Sequence, residues 1–171
     1  ELANEATKRP YYMDEMGNKI EYDQTIWLND EEVIIEPMTQ EEVDAVNARF
    51  HLEPSLEKAV EGVQCVIECI VEIKEVKANF FRQVNELVGE DVLLCTNSSY
   101  MVSSLFADCV KNPSRLCNMH FYNPALVMKF VEVVQGPHTS EETARTAFEF
   151  CKSIGKMPIW QKKEIAGFAG N

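Results

Sequence analysis

The chain has 171 residues, of which 46% are hydrophobic and 26% are charged, and its formal net charge is −12. This size and composition are typical of one soluble globular domain with a sizeable core. The acidic balance argues against a nucleic-acid partner, because binding to a phosphate backbone requires a basic surface. No apolar run approaches the roughly 20 residues of a membrane-spanning helix, so no membrane partner is expected.

Residues 1–38 form an atypical segment that fits the rest of the pattern poorly. Within it, "TIWL" and "VIIE" flank the polar stretch "NDEE", a sequence typical of a β-hairpin. The alternative is a surface ribbon or ordered loop that packs Trp27 inward. We therefore treat this segment separately from the chain that follows it.

A regular alternation of helices and strands begins at Thr39. Thr39 and Glu42 have the spacing of a capping box, which predicts the start of a helix. The predicted elements then follow in this order: helix "SLEKAVEG", strand "VQCVIECIV", helix "IKEVKANFFRQVNELVG", strand "DVLLCTN", turn and helix "SSYMVSSLFADCV", strands "RLCNMHF" and "VMKFVEVV", helix "TSEETARTAFEFCKSIG" and strand "KMPIWQKK". Short apolar strands that alternate with helices predict a parallel, doubly wound α/β sheet. We assign residues 39–161 to this domain and residues 162–171 to a linker.

Helical spacing predicts one apolar face for the helix in "IKEVKANFFRQVNELVG", made of Val76, Phe80, Phe81, Val84, Leu87 and Val88. The cysteines follow no metal-binding spacing, which favours buried free thiols in a reducing compartment over a zinc site. There are six of them: Cys65, Cys69, Cys95, Cys109, Cys117 and Cys151. We expect no metal in this chain.

Two groups of polar residues follow predicted strands. The sequence Thr96-Asn97-Ser98-Ser99 ends one strand, and His120 with Asn123 ends another. In doubly wound sheets, ligands bind beyond the carboxyl ends of the strands. The candidate site is therefore expected at this edge.

His120 and Glu132 are the candidates for acid–base chemistry. A lone histidine in an apolar context is most often a hydrogen-bonded structural residue, but its ordinary pKa also makes it the usual proton acceptor at neutral pH. Glu132 lies inside the apolar stretch "VMKFVEVV", and a buried carboxylate is costly unless it is paired. We expect Glu132 to meet His120 and stabilise its charged form. The alternative is that Glu132 lies on an edge strand and faces water.

The stretch "NMHFYNPALVMKFVEVV" closely resembles the "HFFNP…MKLVEVV" signature of the L-3-hydroxyacyl-CoA dehydrogenases. The resemblance covers roughly Thr39 to Asn171 and includes "SLEKAVEGVQCVIECIVE", "LLCTNSSY" and "KKEIAGFAGN" in the order of the family. It implies a Rossmann-type fold and NAD as the cofactor. It also implies oxidation of a (S)-3-hydroxyacyl-CoA to the 3-ketoacyl-CoA, or the reverse, in fatty acid metabolism and β-oxidation.

The resemblance also implies roles for individual residues. His120 matches the general base of the family, and Glu132 matches its orienting partner. Ser99 and Asn171 match positions that contact the substrate, although one extra residue precedes Asn171 here. The positions that match cofactor contacts are Glu72, Lys77, Ser99 and Asn123.

Each of these matches has a structural alternative. Ser99 is also suited to cap the helix that follows it. Asn123 precedes Pro124, a common dipeptide in turns. Glu72 and Lys77 have the spacing of a solvated ion pair at the start of a helix.

The chain departs from the family pattern at the glycine-rich turn. Its seven glycines do not form Gly-x-Gly-x-x-Gly, the turn that brings a helix N-terminus to the pyrophosphate. We therefore predict an incomplete Rossmann-type doubly wound sheet that lacks the first strand–helix unit and the C-terminal helical domain, and weak NAD binding. A non-catalytic acyl-CoA-binding derivative is the alternative function.

Expectations for the full-length protein come from the resemblance and from the composition. The resemblance implies a homodimer with an acyl-CoA substrate. The six thiols and the lack of a signal pattern predict a cytoplasmic location, with the mitochondrial matrix as the alternative.

Overall fold

The computed structural model describes the backbone of residues 11–13, 19–21, 25–28, 31–34 and 38–168, and the side chains of residues 38–168. The predicted substrate contact Asn171 and the side chain of Trp27 lie outside these residues. The chain divides into two compact units, Glu1–Glu53 and Pro54–Asn171.

The described residues of the first unit form four short strands and one helix. Strands β1 (Tyr11–Met13) and β2 (Lys19–Glu21) pair antiparallel, as do β3 (Thr25–Leu28) and β4 (Glu31–Ile34). The second pair contains "TIWL", and its partner strand begins at Glu31, two residues before "VIIE". Helix α1 spans Gln40–Asn47, and both hydrogen bonds of the predicted capping box are present. The predicted start of this helix is confirmed.

The second unit is built around a five-stranded sheet with the strand order β5-β6-β7-β8-β9. Its strands are β5 (Cys65–Glu68), β6 (Leu93–Thr96), β7 (Leu116–Phe121), β8 (Phe130–Val134) and β9 (Met157–Gln161). Its helices are α2 (Leu56–Ala59), α3 (Lys74–Leu87) and α4 (Glu141–Ser153), with 3₁₀ helices at Ser103–Cys109 and Pro113–Arg115. This α/β architecture confirms the predicted Rossmann-type class.

The sequence predicts a parallel sheet, but one pair of strands in this sheet is antiparallel. Strands β5, β6 and β7 run parallel to one another, and β9 runs parallel to β8, but β7 and β8 pair antiparallel. The connection between β7 and β8 spans only residues 122–129 and contains no helix. A parallel connection needs a crossover of about a dozen residues or more, so this short loop requires a reversal of direction.

Helices pack on both faces of the sheet. On one face, Phe81 and Val84 of α3 pack with Leu94 and Leu116. On the other face, Ala147 and Cys151 of α4 belong to a cluster with the strand residues Cys95, Cys117, Met119, Val131 and Val133. Side chains alternate between faces along each strand, which explains why Leu94 and Cys95 enter different clusters.

The predicted buried face of α3 is correct only in part. Phe81 and Val84 are fully buried, but Val76 and Leu87 are each 41% exposed, and Lys77 is buried instead. The predicted set of buried thiols also needs one correction. Cys95, Cys117 and Cys151 are buried and Cys65 and Cys109 are half-buried, but Cys69 is exposed, because it lies just beyond the end of β5.

Two further findings concern the described part of the chain. None of its helices has the length and apolar character needed to cross a membrane. None of its His, Cys, Asp and Glu side chains form a group of three or more that could hold a metal ion.

Candidate active site

The loops after the parallel strands meet at one edge of the sheet. Strands β5, β6 and β7 run in the same direction, so their carboxyl ends lie together. Asn97, after β6, accepts a hydrogen bond through Oδ1 from the backbone N–H of Phe121, at the end of β7, at 2.8 Å. Ser99 and Asn123, on the loops after β6 and β7, are both exposed. The structure therefore places these two predicted residues on loops that leave the same edge.

His120 and Glu132 form a buried cross-strand pair. His120 on β7 lies directly opposite Glu132 on β8, so both side chains point to the same face of the sheet. The distance from His120 Nδ1 to Glu132 Oε2 is 2.9 Å, and the residues are 7% and 1% exposed. The expected pairing is present, and the alternative of a carboxylate that faces water is wrong.

Gln161 engages the second oxygen of the same carboxylate. Its Nε2 donates a hydrogen bond to Glu132 Oε1 at 3.0 Å from the adjacent strand β9. Glu132 is thus held through both oxygens, by His120 on one side and by Gln161 on the other. Gln161 carried no signal in the sequence, because its contact depends on the register of β8 and β9.

Two aromatic side chains lie against the imidazole ring. The ring centroid of His120 is 5.1 Å from that of Tyr122 and 5.6 Å from that of Phe168. Burial raises the pKa of the Tyr122 hydroxyl, and the charge of Glu132 raises it further, so this phenol is neutral at physiological pH. Phe168 is buried and has a positive φ of 56°, which directly follows the positive φ of Gly167. These rings restrict the movement of His120.

A second polar cluster holds the chain segment that carries Phe168. Glu164 Oε1 accepts hydrogen bonds from Ser103 Oγ at 2.7 Å and from the backbone N–H of Ser104 at 3.0 Å. His138 Nε2 lies 3.4 Å from the same Ser103 hydroxyl. Burial lowers the pKa of His138, and the charge of Glu164 partly offsets this effect. The hydrogen bonds of Glu164 join the segment after β9 to the start of the 3₁₀ helix Ser103–Cys109.

Lys77 forms a buried ion pair with Glu68, the last residue of β5. Its Nζ is 2.8 Å and 2.7 Å from the two carboxylate oxygens of Glu68 and 3.3 Å from the carbonyl oxygen of Ile70. Thr96 donates a further hydrogen bond from Oγ1 to Glu68. Lys77 is only 1% exposed, so the alternative that Glu72 and Lys77 form a solvated pair is wrong for the lysine. Glu68 was not among the residues predicted from the sequence.

Glu72 connects this ion pair to the loop after β6. Its side chain is 46% exposed, and its Oε1 lies 3.5 Å from Lys77 Nζ. Ser98 donates a hydrogen bond from Oγ to Glu72 Oε2 at 2.8 Å and accepts one from the backbone N–H of Met101 at 2.7 Å. The 3₁₀ helix that follows begins after Val102 without a side-chain cap, so Ser99 does not cap it.

A mostly parallel sheet with helices on both faces and polar loops at its strand ends is the architecture of a Rossmann-type domain. Residues 18–165 match the sequence profile described as "3-hydroxyacyl-CoA dehydrogenase, NAD binding domain". The chain therefore belongs to the 3-hydroxyacyl-CoA dehydrogenase family, as an oxidoreductase domain. This confirms the family and the cofactor, NAD, that the sequence analysis predicted.

Several solved structures are similar to the chain. A 3-hydroxybutyryl-CoA dehydrogenase from Escherichia coli K12 has 35% identity and a TM-score of 0.73, over 77% of this chain and 27% of that one. The (S)-3-hydroxybutyryl-CoA dehydrogenase PaaH1 from Ralstonia eutropha has 30% identity and a TM-score of 0.75, over 79% and 47%. FadB2 of M. tuberculosis has 28% identity and a TM-score of 0.74, over 79% and 47%. The chain thus spans less than half the length of these relatives.

The polar groups of the edge fit part of an NAD site. The exposed side chains of Glu72, Ser99 and Asn123 present a carboxylate, a hydroxyl and an amide at the strand ends, groups that suit ribose hydroxyls and a carboxamide. Lys77, by contrast, is buried, and its ammonium group is bonded to Glu68. No glycine-rich turn of the Gly-x-Gly-x-x-Gly type occurs in the sequence, so the residues that would bind the pyrophosphate are not identified.

Proposed function

We propose that this domain serves the NAD-dependent oxidation of (S)-3-hydroxyacyl-CoA to 3-ketoacyl-CoA, and the reverse reaction, in fatty acid metabolism. His120 is the general acid–base group and Glu132 is its partner. The observation that carries this proposal is the buried pair itself, with Glu132 Oε2 at 2.9 Å from His120 Nδ1 at the ligand-binding edge. The similarity to dehydrogenases named for 3-hydroxybutyryl-CoA supports the choice of substrate class.

The hydrogen bond to Glu132 sets the protonation pattern of the imidazole. An ionised carboxylate accepts hydrogen bonds only, so Nδ1 carries the proton of the neutral ring and Nε2 keeps its lone pair. Nε2 makes no hydrogen bond to any residue in the described part of the chain. It is therefore the atom that receives the proton of the substrate 3-hydroxyl, and Glu132 stabilises the resulting imidazolium.

In the reverse direction, the imidazolium returns this proton to the 3-keto oxygen. Bound NAD supplies the hydride acceptor for the oxidation, and NADH supplies the hydride for the reduction. A general acid–base group in this position contributes about 10²–10⁴-fold to the rate.

The remaining site residues are assigned from the resemblance. Ser99 and Asn123 contact the cofactor, Ser99 also contacts the substrate, and Asn171 is the second substrate contact. The carboxylate of Glu72 accepts hydrogen bonds from the cofactor. The ammonium group of Lys77 is already bonded to Glu68 and does not contact the cofactor directly. Lys77 acts on the cofactor through Glu72, whose carboxylate lies 3.5 Å from Lys77 Nζ. A cytoplasmic homodimer is part of the same proposal.

The test is acetoacetyl-CoA-dependent oxidation of NADH by the wild-type protein and by its His120→Gln variant. We expect the variant to lose about two or more orders of magnitude in kcat, because it removes the acid–base group. His51→Gln is the matched control, since His51 is an exposed histidine and is not among the proposed site residues. Loss of activity in the control, or an unchanged rate in His120→Gln, would contradict the proposal.

The second candidate is an acyl-CoA-binding module without catalysis. The absence of Gly-x-Gly-x-x-Gly from the sequence favours it, because this turn normally binds the pyrophosphate. Wild-type protein that binds acetoacetyl-CoA but oxidises no NADH would support this second function. The paired His120 and Glu132 favour the enzyme, because binding alone needs no general base.

A further inference from the structure

We propose that Lys156 is a positioning residue that holds the loop of residues 122–129, and with it Asn123, in place for NAD. Its Nζ donates hydrogen bonds to the carbonyl oxygens of Ala125 and of Met128, the latter at 2.9 Å. Lys156 is half-buried and lies on the turn between α4 and β9. The role in cofactor binding rests on the proposed function, whereas the attachment of the loop by Lys156 does not.

The register of the strands places Lys156 at the same edge of the sheet as the candidate site. Phe121, the last residue of β7, lies opposite Val131 near the start of β8, and Val131 lies opposite Pro158 near the start of β9. Strands β8 and β9 therefore begin at the edge where β7 ends, the edge at which ligands bind in such sheets. Lys156 directly precedes β9 and so reaches the loop that leaves β7.

The backbone around Lys156 is held on both sides. The N–H of Lys156 donates to the carbonyl oxygen of Cys151 in α4 at 3.0 Å, and the N–H of Met157 donates to the carbonyl oxygen of Lys129 at 2.8 Å. Gly155 provides the positive φ of 76° with which the chain leaves the helix. The ammonium group therefore extends from a fixed backbone position.

The turn that Lys156 contacts has internal hydrogen bonds but little apolar burial. The N–H groups of Val127 and Met128 both donate to the carbonyl oxygen of Pro124, at 3.0 Å and 2.9 Å. Leu126 and Val127 are 81% and 74% exposed, so the hydrophobic effect contributes little to holding this turn on the domain. Hydrogen bonds from a charged group are stronger than neutral ones, which makes the ammonium group of Lys156 an effective attachment.

Loss of this attachment should displace Asn123 and leave the proposed catalytic pair in place. Asn123 directly precedes the turn that Lys156 holds. His120 and Glu132, by contrast, lie opposite each other within β7 and β8, and one further pair of strand residues separates them from the loop. Because strand pairing holds them independently of the loop, we expect removal of the ammonium group to weaken the binding of NADH more than it slows the chemical step.

The first measurement is hydrogen exchange of the backbone amides of Val127 and Met128, followed by NMR in the full chain. The variant is Lys156→Met, which keeps the length of the side chain but removes the ammonium group. Lys152→Met is the matched control, because Lys152 is exposed and bonds Glu149 of its own helix. We expect both amides to exchange about tenfold faster in Lys156→Met and at the wild-type rate in the control. The amides of β6 should keep their wild-type rates in all samples.

The second measurement is the Kd for NADH, from the fluorescence of the nucleotide, in the wild type, Lys156→Met, Asn123→Ala and the double variant. We expect each single variant to raise this Kd about fivefold, the effect of one neutral hydrogen bond. The double variant should bind NADH no more weakly than Asn123→Ala alone, because Lys156 acts through Asn123. In the oxidation of NADH with acetoacetyl-CoA, the kcat of Lys156→Met should change less than about twofold.

Unchanged exchange of the loop amides in Lys156→Met would overturn the proposal. Faster exchange in β6 as well would also overturn it, because a general loss of stability would then be the cause. Additive losses of NADH affinity in the double variant would show that Lys156 does not act through Asn123. A wild-type protein that bound no NADH would overturn the cofactor part of the proposal. If it bound NADH but oxidised none, the proposed function would fail, and the Kd values would still decide the role of Lys156.

Discussion

Replacing Glu132 by glutamine keeps the shape of the side chain but removes the charge that faces His120. We expect Glu132→Gln to lower kcat by about 10²–10⁴-fold, because the amide does not stabilise the imidazolium formed during the reaction. The measurement is steady-state oxidation of NADH with acetoacetyl-CoA. Glu149→Gln is the control, since Glu149 is exposed and its side chain bonds Lys152, its one partner among the described residues. Full activity of Glu132→Gln would show that the carboxylate is not needed.

His138 makes the stability of the protein depend on pH. Burial lowers its pKa in the folded state, so between that pKa and the ordinary value the unfolded chain binds a proton that the folded protein does not. The contribution of His138 to the free energy of unfolding is therefore fully present above about pH 6.5 and is lost as the pH falls below this value. We expect the Tm to drop less between about pH 7.5 and about pH 5.5 in His138→Asn than in wild type.

The exposed histidine His51 provides the comparison for this measurement. His51→Asn should show the same drop in Tm on acidification as the wild type. An equal drop in His138→Asn and wild type would contradict the role of His138.

At the residue scale, the sequence predicted the polar residues that interrupt an apolar run. Glu132 was found because a carboxylate inside an apolar strand is conspicuous, and His120 was found with it. The same signal was present in "VQCVIECIV" and would have identified Glu68, which is 2% exposed. Gln161 and Phe168 carried no comparable signal. Their contacts depend on strand register and on the path of the chain after β9.

At the scale of elements, the buried ion pair between β5 and α3 makes a prediction about stability. Lys77→Met should lower the free energy of unfolding by about 3–5 kcal/mol, because Glu68 is left as an uncompensated buried charge. Adding Glu68→Leu should recover part of this loss, since the second change removes that charge. The measurement is denaturant unfolding of the wild type, both single variants and the double variant. If the double variant lost as much free energy of unfolding as the two single variants lose together, the coupling between Lys77 and Glu68 would be contradicted.

The order of helices and strands was largely predictable from the sequence, but the direction of one strand was not assigned correctly. Apolar runs and their spacing predicted α3, α4 and each strand of the five-stranded sheet. The antiparallel pairing of β7 and β8 is set by the short connection over residues 122–129. The length of that connection was visible in the sequence, and applying the crossover rule to it would have predicted the reversal.

At the scale of the whole molecule, the domain presents a candidate catalytic pair without the usual glycine-rich turn. We expect the 171-residue chain to bind NADH weakly, because no Gly-x-Gly-x-x-Gly turn is available for the pyrophosphate. A titration followed by the fluorescence of NADH tests this expectation. Binding as tight as that of the similar full-length dehydrogenases would show that other residues of the chain bind the pyrophosphate.

We propose that this domain belongs to an enzyme that transfers hydride to the C3 carbon of a 3-ketoacyl-CoA while His120 supplies the proton. The most direct measurement is mass spectrometry of the product formed from acetoacetyl-CoA and an excess of NADH deuterated at the transferable position. We expect the wild-type protein to form (S)-3-hydroxybutyryl-CoA with the label at C3, and His120→Gln to form almost no labelled product. Acetoacetyl-CoA that binds to the wild-type protein but acquires no label would contradict it.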